Sequence, residues 1–249
     1  MIALVTGASS GFGQAISELL IANGYQVIGT GRRKQKLLTL QEKLGDNFHP
    51  LAFDLQDKAE TLCALEKLPK RWQNIDILVN NAGLALGLTP AYEADIEDWE
   101  QMIATNISGL TRLTRTLLPN MVTRKCGHII NIGSIAGTYP YPGANVYGAT
   151  KAFVKQFSLN LRADLAGTHI RVSNIEPGLC SGTEFSSIRF HGNETAAAAV
   201  YKDKLSLVAE DIARTTLWIM KQPAHMNVNS IEIMPTSQSF GALPVQPID

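Results

Sequence analysis

The sequence predicts a single α/β domain in which a doubly wound, mostly parallel seven-stranded sheet carries helices on both faces. Three observations support this. Seven short β-branched or apolar runs recur along the chain, amphipathic stretches separate them, and a glycine-rich turn follows the first run. Strands buried on both faces read as short continuous apolar runs. With 249 residues, 45% of them hydrophobic, the chain can bury a core of the required size. No internal repeat or linker interrupts it, so 1–249 is read as one unit.

The strand candidates are Ile2 to Val5, Tyr25 to Gly29, Phe48 to Phe53, Ile75 to Val79, His128 to Ile132, Ile170 to Asn174 and Ser230 to Ile233. Two long helices are expected, from Ile96 to about Leu118 and from Asn145 to about Leu165. An irregular stretch from Gly178 to Asn193 precedes an alanine-rich helix candidate between Thr195 and Lys204. Residues 179–204 are therefore expected to form a substrate lid. From Met234 the chain is rich in Pro, Gly, Ser and Gln, so 234–249 reads as a terminal extension.

Lys+Arg 22 balance Asp+Glu 22, so no global field recruits nucleic acid or an anionic membrane. No apolar run reaches the roughly 18 residues a membrane span needs. Met1-Ile2-Ala3-Leu4-Val5 runs into the glycine turn with no basic segment or cleavage site before it, so export by that route is not expected. Cys63, Cys126 and Cys180 are widely spaced and read as reduced thiols of a cytoplasmic protein. His49, His128, His169, His191 and His225 are scattered without paired ligand spacing, so no metal is expected.

The first candidate strand ends in Thr6-Gly7-Ala8-Ser9-Ser10-Gly11-Phe12-Gly13, and a helical pattern follows from Gln14 to Ala22. Glycines let the backbone approach a pyrophosphate, and free N–H groups at a helix N-terminus favour the anion. The spacing is GxxxGxG. The second candidate strand leads to Thr30-Gly31-Arg32-Arg33-Lys34. Gly31 takes the position where an acid would hold a ribose 2′-hydroxyl, and the arginines suit a 2′-phosphate, which predicts NADP rather than NAD.

Tyr147 and Lys151 stand four apart in Asn145-Val146-Tyr147-Gly148-Ala149-Thr150-Lys151 and would share one helix face. Bringing a tyrosine from about 10 to about 7 takes roughly 4 kcal/mol of preferential anion stabilisation. A unit charge about 4 Å away supplies that much at an effective dielectric near 20. The lysine is expected to make the phenol a working acid.

With Asn80-Asn81-Ala82-Gly83 after the fourth candidate strand and Ser134 after the fifth, the chain resembles the short-chain dehydrogenase/reductases over nearly its whole length, which implies a Rossmann-like fold. That resemblance implies a general acid/base at Tyr147, assisted by Lys151, with both also at the cofactor, where Lys151 would hold the nicotinamide ribose, and a substrate-oxygen contact at Ser134. It makes Asn106, in Ala104-Thr105-Asn106-Ile107, the support of a proton relay. Asp54 and Leu55 would border the adenine. Asn81, Ala82 and Gly83 would line the cofactor, Pro177 and Gly178 the nicotinamide, and Thr183 would reach its amide. Two departures stand out. Gly133-Ser134 replaces a common serine pair, and the stretch from Pro177 to Thr183 is one residue longer than the common form.

Gly31-Arg32-Arg33, Asn80 to Gly87, Gly148 to Phe153 and Glu176 to Ser186 resemble in particular the NADP-dependent 3-hydroxy acid dehydrogenases, which act on serine, allo-threonine or malonic semialdehyde. A substrate carboxylate in a closing pocket wants a cation, and Arg189 in the expected lid is the candidate. A reductase of uncharged ketones or aldehydes and a non-catalytic NADP-sensing regulator are the alternatives; the second would have lost catalytic residues, and Ser134, Tyr147 and Lys151 are present. Ile103, Ile107, Leu110, Leu117, Phe153, Phe157 and Leu161 exceed what one buried stripe needs. In the family such helices pack between subunits, so a homotetramer is expected; a single-chain mass by sedimentation would refute it.

Overall fold

The seven expected strands form, with bounds shifted by at most three residues at either end: β1 (Ile2–Thr6), β2 (Gln26–Gly31), β3 (Phe48–Ala52), β4 (Ile75–Asn80), β5 (Gly127–Ile132), β6 (Ile170–Pro177) and β7 (Ser230–Ile233). This computed structural model describes residues 1–240. All ladders between the strands are parallel, in the order β3-β2-β1-β4-β5-β6-β7. Succession reverses at β1, whose neighbours are β2 and β4, and a crevice opens where connections leave in opposite directions.

Alternate residues of β1 divide the core in two. Ala3 and Val5 pack with Ile16 and Leu20 of α1 (Gly11–Ala22), Leu37 of α2 (Lys34–Leu44), and Ile212 and Ile219 of a helix near the end of the described chain, Ala209–Met220. Ile2 and Leu4 face the other layer, with Trp72 and with residues of the long helices. α3 (Lys58–Glu66) adds Ala64 and Leu65 at its edge. Apolar layers on both faces explain why the central strands β1 and β4 are near-continuous apolar runs, whereas the edge strand β7 alternates exposed and part-buried residues.

The first expected long helix is not continuous. α4 (Ile96–Ile103) passes through a π-helical turn at Ala104–Gly109 into α5 (Leu110–Arg124). A π turn inserts a residue and rotates the helix beyond it, and here it accommodates Asn106, which is held by groups on other elements. The second forms as expected, α6 (Asn145–Asp164). Part of the expected apolar excess lies outside: Ile103 and Phe153 are 42% and 38% exposed, whereas Leu110 and Leu161 are buried. The stretch expected to be irregular contains a short helix, α7 (Phe185–Arg189). The alanine-rich helix, α8 (Glu194–Ala199), stops five residues short of Lys204, and Ala209–Met220 is α9. Of the expected extension, 234–240 is described and 241–249 lies outside the described residues.

No helix among the described residues is long and apolar enough to cross a membrane, and none of their His, Cys, Asp and Glu groups could hold a metal ion as a set of three or more. All three cysteines are free. His128, on β5, is buried and shares a hydrogen bond of 2.9 Å with the Ser173 hydroxyl. Burial, with the Arg171 charge adding to it, pulls its pKa from 6.5 down to about 3. The unfolded chain therefore binds this proton more readily, so the contribution to stability is complete above pH 6.5 and is lost as pH falls toward 3. The loss runs at up to about 1.4 kcal/mol per pH unit. His128→Gln should flatten the fall in unfolding free energy between about pH 6 and pH 4. Equal slopes in denaturant titrations of the two proteins would contradict this.

Candidate active site

A cleft of about 860 Å3 runs along the C-terminal ends of the strands and is lined by residues from 7 to 238. At one end lies the glycine turn. A Cβ on Gly13 would stand 2.3 Å from the Gly7 carbonyl oxygen, so the first helical turn can approach the strand end only without a side chain there. Gly7, Ser9, Ser10, Gly11 and Phe12 reach the cleft; Ala8 and Gly13 are buried behind it and shape the turn. Free backbone at the start of a 12-residue helix suits a bound phosphate.

Arg32 and Arg33 follow β2 on the same rim, both exposed. The Arg33 fork, expected to face a 2′-phosphate, is engaged within the chain. Nη1 meets Glu184 Oε1 at 3.0 Å, Nη2 meets Glu184 Oε2 at 2.7 Å, and Nη2 also donates to Ser10 Oγ at 2.8 Å. Arg32 makes no side-chain hydrogen bond or ion pair within the described residues, leaving a free cation on this rim.

Asp54 and Leu55 line the cleft beyond β3, where the Asp54 carboxylate accepts the Gln56 N–H at 2.9 Å. Asn81, Ala82 and Gly83 border it after β4. Asn81 also has a structural duty: its side-chain amide donates to the Thr6 carbonyl at 2.8 Å, and the Thr6 hydroxyl accepts the N–H groups of Asn81 and Ala82 at 2.9 and 2.8 Å. These bonds lock the ends of β1 and β4 together below the phosphate turn.

Ser134 follows β5 and lines the cleft with Tyr147 and Lys151. Its hydroxyl accepts the Ala136 N–H at 3.1 Å. Gly137 lets α6 lie against this segment, since a Cβ there would meet the Lys151 carbonyl carbon at 2.7 Å. Lys151 Nζ donates to the Ile132 carbonyl at 2.9 Å and stands 5.9 Å from the Tyr147 ring centre. Asn106 lies behind this wall. Its carbonyl oxygen accepts the Leu84 N–H at 2.9 Å, and its amide donates to Leu84 O at 2.9 Å and Thr150 Oγ1 at 3.0 Å.

Electrostatics correct one expectation. Burial raises the Tyr147 pKa above its usual value; the Ser134 hydroxyl and the Arg189 charge oppose that rise without overcoming it. Lys151 is itself brought down to about 8 by burial. Helical spacing brought the two residues together, but desolvation of the phenolate sets the direction here, and what opposes it comes from Ser134 and Arg189.

Pro177 ends β6 at the cleft with Gly178 just after it, and Thr183 lies over the phosphate turn, 3.3 Å from where a Gly11 Cβ would be. Three residues that sequence reasoning left without a role also reach the cleft. Gln238 Oε1 accepts the Leu179 N–H at 2.8 Å, Phe185 packs edge-on against Tyr147 with ring centres 5.8 Å apart, and the Tyr141 hydroxyl receives Arg189 Nη1 at 3.1 Å. Their sequence signal is weak because each contact joins distant segments. Arg189 is 9% exposed, and its Nε donates to the Gly87 carbonyl at 3.1 Å. Its Nη2 is buried without a hydrogen-bond partner among the described residues, and the guanidinium carbon lies 5.7 Å from the Tyr147 ring centre.

A Rossmann-like sheet with a phosphate turn at one end and a serine, tyrosine and lysine at the other defines a nucleotide-dependent dehydrogenase, and the chain belongs to the short-chain dehydrogenase family, whose model matches residues 1–193. It is 63% identical over 243 residues to a probable NADP-dependent dehydrogenase of Haemophilus influenzae, covering 98% of this chain and 96% of that protein. It is 54% identical over 245 residues to an NADP-dependent 3-hydroxy acid dehydrogenase of Escherichia coli, covering 98% and 99% of the two chains. Among solved structures, the closed form of a serine dehydrogenase complexed with NADP+ matches with a TM-score of 0.98 at 53% identity, covering both chains fully.

Proposed function

We propose that this chain is an NADP-dependent oxidoreductase of small 3-hydroxy and 3-oxo acids, serine, allo-threonine and the 3-hydroxypropionate/malonic semialdehyde pair among them. The observation that carries the carboxylate preference is Arg189: a buried guanidinium beside the phenol, with a donor that has no partner among the described residues. An unsatisfied buried donor on a charged group costs about 1–3 kcal/mol or more, which an anionic ligand would recover. The names of the relatives point to the same substrate class.

Bound NADP would supply the hydride acceptor, held by the glycine turn, by Asp54 and Leu55, and by Asn81 to Gly83. Arg32 is the free cation suited to its 2′-phosphate, with Arg33 beside it. The remaining chemistry belongs to side chains. Tyr147 exchanges a proton with the substrate oxygen, and Ser134 holds that oxygen with a hydrogen bond. Lys151 brings a positive charge next to the phenol, and Asn106 fixes the backbone of Leu84 and the hydroxyl of Thr150 behind it. Residues 179–204 act as the lid that carries Arg189 over the reacting carbon and excludes water.

A substrate panel tests this reading. NADP reduction, followed by absorbance, should be fastest with serine and 3-hydroxypropionate and weak with neutral alcohols of the same length. Preference for the neutral alcohols would overturn the hydroxy-acid assignment and leave a general carbonyl reductase.

A further inference from the structure

The lid is tied to the body of the protein at both ends of the cleft. At the substrate end, the backbones of Arg189 and Gly87 pair at 2.9 Å and His191 Nε2 meets Asp98 Oδ2 at 3.0 Å. At the cofactor end a single acidic residue makes the connection. Glu184 meets Arg33 through both carboxylate oxygens, and Lys36 Nζ at 2.7 Å. Arg33 and Lys36 bracket the start of α2, so this contact links segments about 150 residues apart in sequence.

Glu184 directly precedes α7, whose first residue, Phe185, packs on Tyr147 and whose last, Arg189, faces the same ring. A five-residue helix has too few internal hydrogen bonds to hold its own position. Its placement therefore depends on what anchors its two ends. The Arg33 contact, with Lys36 adding to it, pulls the Glu184 carboxyl down to about 2, so the anchor is charged throughout the physiological range.

We propose that Glu184 is a positioning residue for the reaction: its contacts with Arg33 and Lys36 hold α7 in register over Tyr147, so the cations at the cofactor's 2′-phosphate end also set where Arg189 meets the substrate. The proposal rests on the NADP-dependent hydroxy-acid reading above. It separates two duties on one basic corner. Arg32 is free for the external phosphate, while Arg33 divides its fork between the turn hydroxyls and the lid.

Glu184→Gln keeps the size and hydrogen-bonding capacity of the side chain and removes its charge. In the NADP-loaded enzyme, KM for 3-hydroxypropionate should rise about fivefold, the upper range for a partly exposed ion pair, with kcat within about twofold. Added salt should raise KM more in the native chain than in the variant, because only the native chain has the Glu184 contacts to be screened. Trypsin should cut the lid at Lys202 and Lys204 about fivefold faster in the variant, since cleavage follows the population of the open form. An unchanged KM with equal cleavage, or a loss confined to kcat, would overturn the assignment. Absence of hydroxy-acid turnover in the native chain would instead remove the functional reading; the cleavage comparison needs no substrate and would still decide whether Glu184 holds the lid.

Discussion

Replacing Tyr147 by phenylalanine is expected to lower turnover by at least about a hundredfold while leaving the fold and the affinity for NADP in place. The ring is the packed part of this side chain: it is 7% exposed and meets Phe185 edge-on, and phenylalanine preserves both contacts. What disappears is one oxygen able to pass a proton to or from the substrate. Because burial holds the phenol above its usual pKa, its neutral form dominates at neutral pH in the cofactor-free chain. Reduction draws on that form directly. Oxidation requires the phenolate, so its rate should climb as pH rises, and the climb should vanish in the variant. Undiminished turnover by a folded, NADP-binding Tyr147→Phe protein would remove the chemistry proposed for this site.

Arg189→Ala should raise KM for 3-hydroxypropionate by roughly 30-fold, corresponding to about 2 kcal/mol for removing one partner of a buried charge pair. Neutral alcohols should lose far less, or gain, because they have no carboxylate to pair with the guanidinium. That difference between substrates isolates binding of the anion from general damage to the lid. Arg189 also supports Tyr141 and the Gly87 loop, so Arg189→Lys is the informative companion: it restores charge but not the fork, and should recover only part of the loss. Equal losses on charged and neutral substrates would mean that Arg189 serves packing alone.

The strands and the phosphate turn were legible because their signals are local: apolar runs, a glycine spacing, and a helix directly after it. The same is true of the pairing of Tyr147 with Lys151 on one helix face. The sign of the Tyr147 shift was not legible, because helical spacing sets proximity while desolvation is set by the whole fold. The π-helical turn at Asn106 escaped for a related reason. Its cause is a set of bonds to Leu84 and Thr150, 22 and 44 residues away. Glu184 falls in the run from Glu176 to Ser186, but its contact was not legible there, since its partner Arg33 is 151 residues distant, and Gln238 reaches Leu179 across 59. Arg189 could be named as a candidate from its segment and charge, but that its Nη2 has no partner among the described residues emerges only from how this segment packs.

The position of β1 also bears on how the molecule assembles. It lies between β2, which begins at Gln26, and β4, which begins at Ile75. During synthesis, one edge of this strand can zip up early while the other waits for some fifty further residues and a long loop closure. Until then, one side of this largely apolar strand lies open to wrong partners, and this segment is where crowding or slow translation should first cause misassembly.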